Sequence, residues 1–143
     1  MEDTEVLKRI NFFKDLTSWE ILQINKISER KIYKAGEKIV QEGTVCDAFH
    51  IIKNGFVKIE KDGRKITTLG NEEPIGEISC MDKGLRSATV TAMQDTAVIT
   101  LPSDAFEALM KKEKDIAIKV YKAIATTLCQ RLRETNEVLI QIH

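Results

Sequence analysis

All seven glycines of this chain, Gly36, Gly43, Gly55, Gly63, Gly70, Gly76 and Gly84, fall in its middle, and the flanks on either side have none. Glycine supplies the positive backbone φ of tight turns and weakens the interior of a helix. The stretch from about Ser28 to Leu101 therefore reads as short segments broken by turns, while both flanks are free to be helical. Within the middle, Val57 and Ile59 alternate with Lys58 and Glu60, the period of two of a strand with one buried face. Asp62-Gly63 separates that run from Arg64–Leu69. It suits a type I′ turn, in which both central residues need positive φ, so a hairpin is expected there. Several short strands punctuated in this way indicate an all-β sandwich or barrel.

The flanks carry the other period. Val6, Ile10 and Phe13 are spaced four and three apart, and Ile21, Ile24 and Ile27 step by three. Thr17-Ser18-Trp19-Glu20 forms a capping box, with the Thr17 hydroxyl accepting from the Glu20 N–H and the Glu20 carboxylate reaching back, so a helix from Ser18 to about Ile27 is expected. After Pro102, Ser103 is the expected N-cap of a helix over Asp104–Lys112. A longer helix follows from about Lys114 to Ile142, spanning ~43 Å at ~1.5 Å per residue. Leu128, Leu132, Thr135, Leu139 and Ile142 step by four, three, four and three along it, a short a/d seam with one polar member. The seam either packs on the chain's own strands or pairs with a second copy. Its continuation to the last residues favours the homodimer.

Charge narrows the function. Lys and Arg number 22, Asp and Glu number 22, and the net charge is zero, which is unlike the basic surface that displaces counterions from DNA. Lys111–Arg133 holds seven Lys/Arg against two Asp/Glu, but a solvated helix face accounts for it, and no direct DNA binding is expected. No apolar run reaches the roughly 18 residues of a membrane span, and the acidic start Met1-Glu2-Asp3-Thr4-Glu5 is unlike a secretory signal. A cytoplasmic protein is expected, with no membrane partner. Cys46, Cys80 and Cys129 form no CxxC pair, and His50 and His143 are the only histidines. Thiols, no metal and no cofactor are therefore expected. With no nucleophile–base pair, the chain does not read as an enzyme.

The chemistry concentrates between Pro74 and Ala92. Gly76 admits close backbone approach, and Glu77 follows it at once. Ile78–Asp82 suits one short helical turn whose free N–H groups favour an anion. Arg86 offers a planar fork that matches a phosphate, Ser87 sets a hydroxyl beside it, and Ala88–Ala92 reads as a strand. Glu77 and Arg86 make either a structural ion pair or an anion site with a carboxylate acceptor beside it. A cluster of N–H groups converging with an Arg leaves excess positive potential until an anion arrives, which favours a ligand. A phosphate next to sugar hydroxyls fits both halves.

This segment resembles the phosphate-binding cassette of cyclic nucleotide-binding domains. Those occur in bacterial catabolite activator proteins, protein kinase A regulatory subunits and cyclic nucleotide-gated channels. The family pattern of Gly-Glu, a short apolar or small run, a variable loop and Arg-(Ser/Thr/Ala)-Ala-Thr-Val is matched by Gly76-Glu77, Ile78–Met81, Asp82–Leu85 and Arg86-Ser87-Ala88-Thr89-Val90. Ala35–Val40 with Glu42-Gly43 resembles the first hairpin of the family, and Phe49–Gly55 resembles its strand ending in a glycine turn. Ile75 stands where family members commonly have Phe.

The resemblance implies a mainly β fold, a double-stranded β-helix or jelly roll with N-terminal helices and a long C-terminal helix. It implies one domain over 1–143, with helices in 1–27, the β-roll in 28–102 with the cassette at 75–90, and helices in 103–143. Arg86 is then expected to pair with the cyclic phosphate and Glu77 with the ribose 2′-OH. Gly76, Ile78 and Ser79 present backbone groups to ribose or phosphate, and Ser87 adds a phosphate or base contact. Arg131–Asn136 resembles the part of the C-terminal helix that reaches the purine, so Thr135 and Asn136 are expected base contacts. The function implied is a cyclic mononucleotide sensor for signal transduction, cAMP ahead of cGMP, with no output domain of its own and a separate effector protein as partner. The alternative is an interaction module on the same fold that binds no nucleotide.

Overall fold

The computed structural model describes residues 2–75 and 84–142. The described helices are α1 (Asp3–Arg9), α2 (Ser18–Lys26), α3 (Ser103–Lys112) and α4 (Lys114–Ile142), with a 3-10 turn at Asn11–Phe13. Between α2 and α3 run β1 (Glu29–Tyr33), β2 (Lys38–Val40), β3 (Ala48–Asn54), β4 (Val57–Lys61), β5 (Arg64–Leu69), β6 (Pro74–Ile75), β7 (Thr89–Ala92) and β8 (Thr96–Pro102). The strands make two antiparallel sheets, ordered β1-β8-β3-β6 and β2-β7-β4-β5. This is the expected class, a β-roll flanked by helices at both ends.

The local signals produce the expected local structures. Asp62 and Gly63 have φ of 53° and 77°, so both central turn residues are left-handed, and β4 pairs β5 across them. The Thr17 hydroxyl accepts from the Glu20 N–H at 3.2 Å, and Glu20 Oε1 accepts from the Thr17 N–H at 2.8 Å. Two expectations need correction. Ile10 takes an extended conformation, so α1 stops at Arg9 and Phe13 sits on the 3-10 turn instead of a continuous helix. Ser103 is the first residue of α3, after Pro102 and without a side-chain cap. Proline needs no N–H partner and its restricted φ leads the chain into the first turn.

Strand β3 is buried on both faces from Ala48 to Ile52, as a continuous apolar run requires. Phe49, Ile51, Ile99 and Leu101 meet Val6, Leu7, Ile10 and Phe13 from the N-terminal helices and Ile116, Val120 and Ile124 from α4. The Phe13 and Phe49 rings meet edge-on, with centroids 6.2 Å apart. Ile52 points the other way and packs with Val40, Val57, Ile75 and Val90 inside the roll. Ile75 is 3 % exposed and serves as core.

Polar contacts fasten the helices to this frame. Asp3 bonds Arg30 on β1 and lies 2.7 Å from Lys53 on β3. Burial pushes its carboxyl up, yet the two cations outweigh that and hold it below its ordinary value. Asn11 Nδ2 donates to Thr127 Oγ1 on α4 at 2.6 Å, and Lys119 Nζ on α4 donates to Glu20 Oε1 at 2.7 Å. Beyond Thr127 the described residues of α4 are exposed all round. Cys46 is disulfide-bonded, which corrects the expectation of three thiols, and Cys129 is free and exposed.

Candidate ligand-binding site

Arg86 lies in the segment that leads into β7, and backbone pairing fixes it there. Its N–H donates to the Thr44 carbonyl at 2.7 Å, and its carbonyl accepts from the Gly43 N–H at 2.9 Å. Leu85 forms a bridge with Val45 alongside. The turn after β2 thus clamps the residue whose side chain matters, and Gly43, at φ 83°, supplies the left-handed step of that turn.

The Arg86 side chain is only 5 % exposed, and Nη2 donates to the Ala48 carbonyl on β3. Burial pulls the guanidinium below its ordinary value, and Asp47 opposes the shift. The group stays charged even so. A charge this deep is costly unless it has strong partners, and the Ala48 carbonyl is one of them.

Arg86 borders a cleft of about 290 Å³. Val40, Ile59, Leu69 and Val90 make its apolar floor, and the polar groups are Arg86, Ser87 and, from α4, Arg131. An apolar floor with a few converging polar groups is the usual make-up of a small-molecule site. The cleft suits an anion at Arg86 and Ser87 with a flat or apolar body across the floor.

The structure therefore brings Arg86 and Ser87 together at one cleft. Thr135 and Asn136 lie further along α4 and are exposed, and Thr135 Oγ1 donates to the Arg131 carbonyl at 3.0 Å. Neither lines the cleft. Gly76, Glu77, Ile78 and Ser79 lie outside the described residues. Arg131 lines the cleft although only its downstream neighbours were expected to contact ligand. Its place one helical turn before Thr135 was the available signal.

The sequence profile of the family described as "Cyclic nucleotide-binding domain" matches residues 30–113. The cAMP-dependent protein kinase regulatory subunit of Debaryomyces hansenii is 31% identical over 113 residues, covering 78% of this chain and 25% of that protein. Glutaminase 2 of Bradyrhizobium diazoefficiens is 28% identical over 123 residues, covering 85% of this chain and 20% of that protein. Among solved structures, the catabolite activator protein of Thermus thermophilus superposes with a TM-score of 0.78 at 28% identity, covering 92% of this chain and 62% of that one. The chain spans a quarter or less of the length of these two curated relatives.

Proposed function

The chain belongs to the cyclic nucleotide-binding domain family, and we propose that it binds a cyclic mononucleotide at the Arg86 cleft as a sensor, and does not transform it. The observation that carries this reading is the buried Arg86 guanidinium at the wall of a largely apolar cleft that Ser87 also lines. Arg86 takes the exocyclic oxygens of the cyclic phosphate, because its planar fork matches them two to two. Glu77 accepts from the ribose 2′-OH, and Gly76, Ile78 and Ser79 offer backbone groups. Arg131 approaches the base from α4, and Thr135 and Asn136, which lie outside the cleft, reach it only through a shift of that helix on binding. We favour cAMP over cGMP because the Thr135-Asn136 region resembles a cAMP-binding protein, and a relative is named as a cAMP-dependent kinase subunit.

Binding leads to a signal only if the ligand contacts differ between two arrangements of the protein. Arg131 gives α4 a stake in the cleft, so α4 is the proposed route to an effector protein. Calorimetry with cAMP and cGMP tests the reading. Saturable binding is expected, and Arg86→Ala is expected to cost about 3–5 kcal/mol, on the order of a hundred- to several-thousandfold in affinity, by leaving the phosphate unpaired. No binding at millimolar nucleotide overturns the reading in favour of a nucleotide-independent interaction module. Undiminished binding by Arg86→Ala overturns the role of that residue.

A further inference from the structure

His50 has no part in the ligand contacts above, yet it is built into the wall behind Arg86. It lies in the middle of β3, paired across to Ile75 on β6 and Thr100 on β8. Its side chain is 6 % exposed, and Nδ1 lies 3.0 Å from Thr100 Oγ1. Strand alternation puts it on the same face as Ala48, whose carbonyl receives Arg86. A second cavity of about 400 Å³ opens against this wall, bordered by Asp47, Ala48, His50 and Thr100. Arg86 does not border that cavity, and His50 does not border the cleft. The Arg86–Ala48 hydrogen bond thus joins a residue of the cleft to a residue of this second cavity, and His50 borders the second cavity.

We propose that His50 is a positioning residue that links proton uptake to anion binding at Arg86, so that the ligand binds more tightly as the pH falls. The proposal rests on the reading of the Arg86 cleft as an anion site. Among the described residues, the charges facing His50 are Arg86 and Lys31, which disfavour its cation, and Asp47, which favours it; Glu29 and Arg30 also line the cavity. From β6 and β8 it meets only the uncharged Ile75 and Thr100. Burial first, then Arg86, draws its imidazole down to about 4, so it is neutral in the unliganded protein at ordinary pH. An anion on Arg86 offsets the larger of the two repulsions, and the imidazolium becomes easier to form. By reciprocity, whatever the ligand does to the proton affinity of His50, the proton does to the affinity for the ligand.

The test is an NMR titration of the imidazole signals with and without saturating cAMP, alongside cAMP affinity measured from pH 7 downward. The chain has two histidines, His50 and His143, and His50→Gln identifies the signal that disappears. The expected result is a rise of roughly one unit in the His50 midpoint on binding, with a matching tightening that reaches about fivefold between pH 7 and pH 4. In His50→Gln that pH dependence is lost, whatever the absolute affinity. If His50 titrates alike in the free and bound protein, or if the pH dependence survives in His50→Gln, the proposal is wrong while the cleft remains a nucleotide site. If cAMP does not bind at any pH, the reading of the cleft fails and takes the proposal with it. The wild-type titration decides even where the variant does not fold.

Discussion

Arg86 reaches the strand that carries His50 through the Ala48 carbonyl, and burial acts on both in the same direction, against the charged form. Only the histidine can yield at ordinary pH, because a guanidinium does not lose its proton in a protein. This has a consequence for stability without any ligand. The unfolded chain titrates His50 near its ordinary 6.5, and the folded chain near about 4. Between those values the unfolded chain binds the additional proton, so acid favours unfolding. The contribution is fully present above 6.5 and is lost as the pH falls to about 4, amounting to about 3 kcal/mol. The lowered carboxyls of Asp3 and Glu20 act in a separate, more acid window, their stabilisation being lost only below their ordinary 3.8 and 4.5. Urea midpoints measured from pH 7 to 4.5 are expected to fall in the wild type and to stay nearly level in His50→Gln. Parallel curves would exclude His50 as the source.

At the scale of elements, the N-terminal helices and α4 are joined through one carboxylate. Glu20 Oε1 accepts both the Thr17 N–H that closes the capping box and the Lys119 ammonium of α4. Burial raises its carboxyl, but the Lys119 hydrogen bond and the Thr17 contacts together hold it below its ordinary value. Glu20 is 7 % exposed at the side chain and Lys119 34 %, so removing the lysine strands a buried carboxylate. Lys119→Ala is expected to cost about 1–3 kcal/mol in chemical denaturation. Glu20→Gln combined with Lys119→Ala should lose less than the two singles added, because the amide needs no cation. Strict additivity would show that the pair is solvated in effect.

The capping box was legible in the sequence because it spans four residues. The Asp62-Gly63 turn was legible for the same reason, and the distal half of α4 because its period repeats from Leu128 to Ile142. The break at Ile10 was not, since Val6, Ile10 and Phe13 are all buried and keep helical spacing although the backbone at Ile10 is extended. There the tertiary core, not the local preference, sets the path. Lys119 likewise read as one charge on a solvated face, because its partner lies 99 residues away.

For the whole molecule, the same distinction separates the two halves of the site. Arg86-Ser87 was readable as chemistry because the two residues are adjacent, whereas Arg131 enters the cleft only through the way α4 lies across the roll. That placement leaves the rest of α4 unsupported. Ile116, Val120, Ala123 and Ile124 are buried, but Leu128, Leu132, Val138, Leu139 and Ile140 are between 42 % and 75 % exposed. The distal seam therefore does not pack on the chain's own strands, and an apolar stripe on a projecting helix calls for a partner. A second copy presenting the same stripe satisfies it with a symmetric seam. Thr135 is no obstacle, since its hydroxyl is already bonded within the helix. Sedimentation equilibrium is expected to find a dimer. Leu132→Glu removes two leucines from such an interface at about 1.5–3 kcal/mol each, which weakens the dimer by about a hundredfold or more. The monomer's own unfolding should change little, because Leu132 is 62 % exposed in the single chain. A wild-type protein that stays monomeric at high concentration would remove the homodimer and leave the distal stripe to the effector.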